Sequence, residues 1–342
     1  MTEHSSAEAA ADNPIDAVIT WVDGDDPDHR AKRLRYLGSS GELHENGVNP
    51  HRWASNDEIL FCLTSIEVNA PWLRRIWIVV DGAGPDLSSI SEGLRSKISL
   101  VDHREIFDGF ETVLPTFNSL SIESMMWRIP GLADRFLYFN DDVFLTAPIA
   151  PSDMFRASAP VLRGKWVDLT PMAASTRSQA DPALFNHFMQ MNAAMEAGFD
   201  LSQVFVAAHV VHPFNRLVMK ALFQERSGVF RANIRHRFRD ISQFSPQALH
   251  NHTCLASSRA VMRTGRDYIH LRGTMSAAAA RDALDEAAGE DIRFLCVNDL
   301  PQLLVQAPDA RELIARAIKG DRRPVSALAA CPASPKDATA AR

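Results

Sequence analysis

The sequence lacks several features that would point directly to a class of protein. Its four cysteines, in 342 residues, are far apart and form no Cys-x-x-Cys pair. This argues against a structural zinc site and favours a reducing compartment. Neither Gly-x-Gly-x-x-Gly nor Gly-x-x-x-x-Gly-Lys-[Ser/Thr] occurs. Dinucleotide-dependent oxidoreductases and P-loop enzymes therefore lose their main support.

Basic charge and long apolar runs are also scarce. The formal net charge is −6, so the composition offers no basic surplus for binding nucleic acid. No apolar run reaches the roughly 18 residues of a membrane span, and the first residues lack the basic and apolar regions of a signal peptide. We therefore expect a cytoplasmic protein with no nucleic-acid partner. Peripheral contact with the inner face of the cell membrane stays open.

The chain is organised around the stretch from Arg135 to Phe144. Phe136 to Phe139 is an apolar run of strand length, which predicts a strand buried on both faces. It ends in Asn140, Asp141 and Asp142, where ligands of open α/β sheets bind. Adjacent carboxylates repel each other, so a divalent cation or a cationic partner would stabilise them. The alternative is an ordinary polar turn after a core strand.

Strand and helix patterns alternate over residues 15–145, which predicts an α/β fold with a parallel, doubly wound sheet. Three predicted strands end in acidic residues, at Asp23, Asp81 and Asp141. In a parallel sheet these ends lie along one edge, which favours a site there. Ser55 and Glu58 match a capping box and predict a helix that begins with them.

We expect one catalytic domain between disordered tails. The predicted limits are 1–13 for the first tail, 14–305 for the domain and 320–342 for the last tail. The domain divides into a sheet core at about 15–150, a helical part at about 151–290 and a returning strand at 291–299.

The helical part carries two groups of basic residues. His209 and His212 precede Pro213, which fits the first turn of a helix running to about Gln224. Histidines at such a position can act as general bases or metal ligands, or simply be polar residues. Four arginines lie between residues 231 and 239. In an acidic protein they need a counter-anion, either the acidic sheet edge or a phosphate-bearing ligand.

Four blocks of the sequence, in this order, resemble the Stealth family of sugar-phosphate transferases, which includes bacterial capsular polysaccharide phosphotransferases. The resemblance implies a Rossmann-like, glycosyltransferase-A-type core, and the sequence pattern adds a helical second half. The resemblance also implies a nucleotide-sugar donor whose sugar-1-phosphate moves to an acceptor hydroxyl. The blocks are residues 15–24, residues 56–143, residues 208–213 with Arg237 and Arg239, and residues 294–299.

The resemblance also implies catalytic residues. Glu123, Asp142 and Arg239 fall where the family has essential acids and an essential arginine. His209 or His212 falls where it has an essential base. The third block has Val210 and Val211 where the family commonly has a proline between its histidines, so either histidine could act.

Donor and metal binding are expected to involve the remaining polar residues of the blocks. Asp142, helped by Asp141 or Asp299, is expected to hold Mg²⁺ or Mn²⁺ against the donor diphosphate. The expected substrate-binding residues are Asp23, Gly24, Asn56, Asp57, Asp81, Asn118, Ser119, Asn140 and Arg237.

The resulting hypothesis is a hexose-1-phosphate transferase. It would use a UDP-hexose or UDP-N-acetylhexosamine, transfer the sugar-1-phosphate to an oligo- or polysaccharide acceptor and release UMP, in capsular or cell-surface polysaccharide synthesis. One alternative is a metal-dependent glycosyltransferase that releases UDP. Another is an inactive nucleotide-sugar binding module, which would bind the donor without turnover. The sequence specifies neither the sugar, the acceptor nor the oligomeric state.

Overall fold

The computed structural model describes residues 13–38, 56–175, 177–178 and 181–320. Apart from Asn13 and Gly320, the predicted tails lie outside the described residues, as does Ser55. The strands are β1 (Ile15–Thr20), β2 (Ile76–Val80), β3 (Ile98–Asp102), β4 (Arg135–Asn140), β5 (Val143–Leu145), β6 (Phe155–Arg156), β7 (Ala159–Leu162), β8 (Gly164–Val167), β9 (Val204–Ala207), β10 (His212–Asn215), β11 (Val261–Met262), β12 (Tyr268–Arg272) and β13 (Phe294–Asn298).

Helices connect most of these strands. The α-helices of the described ranges are α1 (Pro27–Leu37), α2 (Glu58–Asn69), α3 (Glu92–Arg95), α4 (His103–Ile106), α5 (Ser119–Glu123), α6 (Pro151–Met154), α7 (Thr170–Ala173), α8 (Phe185–Glu196), α9 (Arg216–Glu225), α10 (Ser227–Ile234), α11 (Pro246–Ala256), α12 (Ala277–Ala287), α13 (Leu300–Gln306) and α14 (Ala310–Lys319). Within the part of the chain that the structure describes, no helix is long and apolar enough to cross a membrane.

The main sheet has the strand order β10-β4-β1-β2-β3. β4, β1, β2 and β3 are parallel, and β10 is antiparallel to β4 at the edge. The central strands are apolar on both faces because helices and loops cover both sides. The predicted α/β class with a Rossmann-like parallel core is confirmed.

The two faces of β4 pack into different cores. Leu137 and Phe139 lie in a cluster with α2 and the strands β5 and β13. Phe136 and Tyr138 lie in a second cluster, with Met125, Phe214 and residues of α10. The strand is therefore buried on both sides up to Asn140, and the chain reaches the carboxyl edge of the sheet only there.

A second sheet, in the order β12-β13-β5, lies beside the end of β4. β12 and β13 are parallel, and β5 is antiparallel to β13. The backbone N–H of Val297 donates to the carbonyl of Asp142 over 2.9 Å. The second sheet therefore begins where the organising stretch of the sequence ends.

The part predicted as helical also contains strands. β8 and β9 form an antiparallel pair, β7 pairs with both β6 and β11, and β10 joins the main sheet. The prediction of a helix starting at Pro213 was wrong: Pro213 lies in β10 opposite Leu137, and α9 begins three residues later. An edge strand tolerates proline because the missing N–H faces away from the sheet.

The start of α2 also differs from the prediction. Glu58 is the first helical residue, where the capping-box interpretation placed it third. Its carboxylate accepts a 2.5 Å hydrogen bond from the backbone N–H of Asn56. Asp57, in the left-handed region with φ of 60°, precedes the helix and makes no capping hydrogen bond with its side chain.

Candidate functional site

A hydrogen-bonded chain runs along one face of β4 to its carboxyl end. Tyr138 and Asn140, two residues apart, share that face. The Tyr138 hydroxyl donates to Asn140 Oδ1 over 2.8 Å and lies 3.0 Å from Thr20 Oγ1. Asn140 Nδ2 lies 3.3 Å from His209 Nε2. Because an amide nitrogen only donates, His209 Nε2 is the acceptor and carries a lone pair in this arrangement.

Asp142 has one bonded and one open carboxylate oxygen. Asn298 Nδ2 donates to Asp142 Oδ2 over 2.5 Å. Asp142 Oδ1 is buried, and no donor of the described residues bonds to it. His209 Nε2 lies 3.9 Å from this oxygen. A buried acceptor without a partner costs free energy, so this oxygen is a candidate to bind an ion or a substrate group.

Asp142, His209 and Cys296 bring their ligand atoms within 4.8 Å of one another. The carboxylate suits Mg²⁺, and a carboxylate with an imidazole suits Mn²⁺. The thiol contributes least, because burial, and next to it the charge of Asp142, raise the pKa of Cys296 well above its ordinary value. The donor set therefore fits a divalent cation held chiefly by Asp142.

The other two predicted metal ligands lie outside this group. Asp299 precedes α13, and its Oδ1 accepts a 3.2 Å hydrogen bond from the N–H of Gln302. Burial, and then the charges of Asp142 and Glu58, raise the pKa of Asp141 well above its usual range. Asp141 and Asp299 as metal ligands therefore stay predictions.

A second charged group forms where α5 meets the arginine-rich loop. The Arg239 guanidinium donates to Ser119 Oγ over 2.5 Å and to Asn186 Oδ1 over 3.4 Å. Glu123 is almost fully buried beside it, and burial raises its pKa to about 7. The positive charge of Arg239 and hydrogen bonds with Ser119 and Tyr138 limit that rise. Tyr138 thus joins this group to Asn140 and His209.

Arg237 and Asn118 have mainly structural contacts. The Arg237 guanidinium donates to the carbonyl of Leu114 over 3.2 Å and lies 4.7 Å from the centre of the Tyr36 ring. Asn118 is fully buried and caps α5 by accepting from the N–H of Leu120. Its amide also donates to the carbonyl of His236 over 2.8 Å, which fixes the loop that carries Arg239.

The remaining predicted binding residues lie around two cavities and one turn. Asp81 is 3.3 Å from Lys32 Nζ and borders a cavity of about 630 Å³. Asp57 borders a different cavity of about 400 Å³ behind α2, and the carbonyl of the adjacent Asn56 accepts from Arg311 over 2.9 Å. Asp23 Oδ1 accepts from the N–H of Asp25 over 2.9 Å in the turn that contains the buried Gly24.

The two histidines of the third block differ in environment. His209 faces Asn140 and Asp142, with its side chain 39% exposed. His212 lies in β10 opposite Tyr138, and burial lowers its pKa to about 3. The later pair, His250 and His252, accepts hydrogen bonds from backbone N–H groups over 3.0 Å in each case. These two hydrogen bonds hold α11 against β9 and β10.

Sequence reasoning missed two residues beside Asp142. The His270 ring stacks on His209, with centroids 5.4 Å apart and planes at 16°. His270 Nε2 donates to Asn298 Oδ1, and Asn298 in turn donates to Asp142. Asn298 could have been found as a polar residue at the end of a strand. A single histidine within the pattern of β12 gives no such signal.

Comparison with known proteins finds conserved regions of one family in this chain. Residues 13–41 match Stealth protein CR1, conserved region 1, and residues 52–161 match Stealth protein CR2, conserved region 2. An exopolysaccharide phosphotransferase of Streptomyces coelicolor is 31% identical over 287 residues, which are 84% of this chain and 47% of the relative. The capsular polysaccharide phosphotransferase LcbA of Aeromonas hydrophila is 32% identical, over 67% of this chain and 62% of its own length.

The chain spans about half the length of the curated relatives it matches. Among solved structures, the galactosyltransferase LgtC in complex with donor and acceptor sugar analogues aligns at 13% identity, with 75% of this chain, 76% of that chain and a TM-score of 0.41. The chain therefore carries conserved regions 1 and 2 of the Stealth proteins and is similar, at 30–40% identity, to exopolysaccharide and capsular polysaccharide phosphotransferases.

Proposed function

We propose that this chain transfers a sugar-1-phosphate from a nucleotide-sugar to a hydroxyl group of a glycan acceptor. The observation that supports this most directly is the Oδ1 atom of Asp142 at the carboxyl end of β4. It is buried, accepts no hydrogen bond from the described residues and lies beside the His209 imidazole. The similarity to exopolysaccharide and capsular polysaccharide phosphotransferases supports the same reaction class.

The cavity of about 630 Å³ is suited to the nucleoside part of the donor. It lies at the carboxyl edge of the sheet, next to Asp81 at the end of β2. Because β4, β1 and β2 are neighbours about 4.8 Å apart, the ends of β4 and β2 are about 10 Å apart. A diphosphate reaching from Asp142 would place the nucleoside here. The lining combines anions for ribose hydroxyls with cations and an aromatic ring: Asp28, Lys32, Arg35, Tyr36, Asp81, His103 and Arg104.

Transfer is a displacement at the phosphorus that carries the sugar. The acceptor hydroxyl oxygen forms the new P–O bond, and the bond to the bridging diphosphate oxygen breaks. A nucleoside monophosphate, UMP for a UDP-sugar, leaves with the electron pair. The hydroxyl proton passes to His209 Nε2, which carries the lone pair, and a general base at such a position contributes roughly 10²–10⁴ in rate. The imidazolium that results faces Asp142 Oδ1 at 3.9 Å.

Arg239 and Glu123 act on the charge of the phosphoryl group. The guanidinium, oriented by Ser119 and Asn186, stabilises negative charge on the phosphoryl oxygens. Glu123, with its pKa raised by burial to about 7, retains its proton over more of the neutral range than an ordinary carboxyl. It therefore does not fully neutralise Arg239, which leaves that cation available to the substrate.

Asp142 Oδ1 would hold a divalent cation such as Mg²⁺ or Mn²⁺. When bound there, the cation would offset the charge of the diphosphate. Mg²⁺ prefers oxygen ligands and leaves the imidazole free to act as the base. Asn298 keeps the other oxygen, Oδ2, occupied and so fixes which oxygen faces the substrate.

Product analysis tests the proposal. The protein is incubated with Mg²⁺ or Mn²⁺, a panel of UDP-sugars and glycan acceptors, and the nucleotide products are separated. UMP together with a phosphodiester-linked sugar is the expected result. UDP would mean attack at the anomeric carbon, and donor binding without either product would mean a binding module. Near wild-type turnover in both Asp142→Asn and Arg239→Ala would refute the assigned residues.

A further inference from the structure

An exposed tryptophan lies on the strand pair that leads to His209. Trp166, on β8, is 46% exposed. It is the one exposed tryptophan in the described ranges, since Trp21, Trp72, Trp77 and Trp127 are all buried or half-buried. A large apolar ring at the surface costs free energy in water, so an exposed tryptophan held in a fixed position suggests a binding role.

The ring is supported from below by an aromatic cluster. It stacks on Phe199 with centroids 5.9 Å apart and planes at 28°. The edges of Phe205 and His252 contact it at 5.6 and 6.5 Å. His252 is itself fixed, because its Nδ1 donates to the carbonyl of Ala248 over 2.7 Å and its Nε2 accepts from the N–H of Phe205. Trp166 is thus a rigid surface platform.

The position of this platform relative to the site follows from strand register. Trp166 pairs with Phe205 on β9, and His209 lies four residues further along the chain. At about 3.3 Å per residue, Phe205 and His209 are at most about 13 Å apart, and Trp166 lies about 5 Å across the strand pair from Phe205. Gly164 allows β8 and β9 to approach each other closely, since a Cβ at this position would lie 2.4 Å from the carbonyl oxygen of Val206.

A second connection reaches the Arg239 side of the site. The backbone N–H of Ala207, on the paired strand β9, donates to Gln190 Oε1 of α8 over 3.3 Å. Asn186, on the same helix, accepts the hydrogen bond from Arg239. α8 therefore connects the strand pair that carries Trp166 to the candidate phosphate-binding arginine.

We infer that Trp166 is a subsite for the glycan acceptor, in which the ring stacks against the apolar C–H face of a pyranose a few sugar units from the reacting hydroxyl. This inference rests on the proposed function for its place in the reaction. Carbohydrate rings offer one face of C–H groups and a rim of hydroxyls. Asp168, exposed just after the end of β8, can bind such hydroxyls.

Direct binding can be measured without turnover. Neutral hexaoses of glucose, mannose and N-acetylglucosamine are titrated into ¹⁵N-labelled protein while the indole N–H signals are followed. The Trp166 signal is assigned by its loss in Trp166→Phe. We expect that signal to shift with at least one hexaose, and the signals of Trp72 and Trp127 to stay in place. A Trp166 signal that moves with none of the hexaoses would overturn the subsite.

Kinetics then separates the subsite from the reaction. With a long acceptor, Trp166→Ala should raise the acceptor KM about tenfold, as expected for the loss of one aromatic stacking contact. Trp166→Phe should have a smaller effect, and the donor KM should be unchanged. Leu217→Ala removes an equally exposed apolar side chain on α9 and is the matched control. UMP release with wild-type acceptor KM in Trp166→Ala would refute the subsite alone, whereas oligosaccharide binding without any UMP would refute the transfer alone.

Discussion

Replacing Glu123 with glutamine should change how the stability of the protein depends on pH. Burial raises the pKa of the Glu123 carboxyl from 4.5 to about 7 in the folded protein. In the unfolded chain the same carboxyl loses its proton near its ordinary pKa. Between these two values the unfolded state binds fewer protons than the folded state, so the free energy of unfolding falls as the pH rises.

The size of the effect follows from the pKa difference. A rise from 4.5 to about 7 corresponds to about 3 kcal/mol of unfolding free energy. Wild type has this stability in full below about pH 4.5, loses it as the pH rises toward 7 and shows no further dependence from this group above that. Glu123→Gln keeps the hydrogen-bonding shape without an ionisable proton and should lack this dependence. The assay is urea unfolding followed by tryptophan fluorescence, from about pH 4 to about pH 9.

Two variants make the test specific. Glu225→Gln changes an exposed glutamate on α9 and should leave the pH dependence of wild type intact. Arg239→Ala removes the cation that limits the rise in the Glu123 pKa, so the loss of stability should extend to higher pH. If wild type and Glu123→Gln differed by the same free energy at every pH, the carboxyl would not carry the raised pKa, and the electrostatic account of this group would be refuted.

Three further outcomes are expected. Asp142→Asn should lower kcat at least about a hundredfold and leave the melting temperature unchanged or higher, because it removes one of several neighbouring acids; unchanged kcat would contradict its role. His270→Phe keeps a ring stacked on the candidate base but loses the hydrogen bond to Asn298. In steady-state assays kcat should therefore fall about tenfold while the donor KM stays constant. A change in KM alone would contradict this. Arg163→Met breaks an ion pair with Asp267 that is almost fully buried, and it should lower the free energy of unfolding in urea by about 3–5 kcal/mol. Arg281→Met breaks an exposed ion pair and should lower it by less than about 1 kcal/mol. Equal losses would contradict the argument from burial.

The strand that organises the site could be predicted because its signal is local. Phe136 to Phe139 is an uninterrupted apolar run, and such runs form the interior strands of parallel sheets. The polar residues that follow had to lie at the carboxyl edge once that strand was placed. Asn140 and Asp142 are predicted in this way. Asn140 lies in the hydrogen-bonded chain from Tyr138 to His209, and Asp142 accepts from Asn298.

The neighbours of Asp142 could not be predicted, because they depend on pairing between distant strands. Asn298 reaches Asp142 only because β13 pairs with β5, directly after the acidic residues. His270 joins them only because β12 pairs with β13. Neither pairing leaves a mark in the local sequence. The missed strand β10 has a similar cause, since proline normally argues against a strand and only its place at the sheet edge permits Pro213 there.

Asn118 is a buried polar residue whose contacts support the candidate site. Its side-chain oxygen accepts from the N–H of Leu120. Its side-chain nitrogen donates to the carbonyl of His236 and to the amide oxygen of Gln243. These contacts fix the start of α5 relative to the loop that carries Arg239. These contacts use its amide group, and a role for Asn118 in substrate binding stays a prediction.

The two charged groups of the site are held by different parts of the fold and meet on β4. Glu123 and Arg239 depend on α5 and the loop after α10, which pack against the Tyr138 face of the strand. Asp142 depends on the second sheet through Asn298. Tyr138 and Asn140 are the connection, since the phenol bonds to the amide and the amide to His209. A change in the core beside α5 should therefore act first on Arg239, the proposed phosphate-binding residue, and a change in the second sheet on the proposed base and the proposed metal ligand.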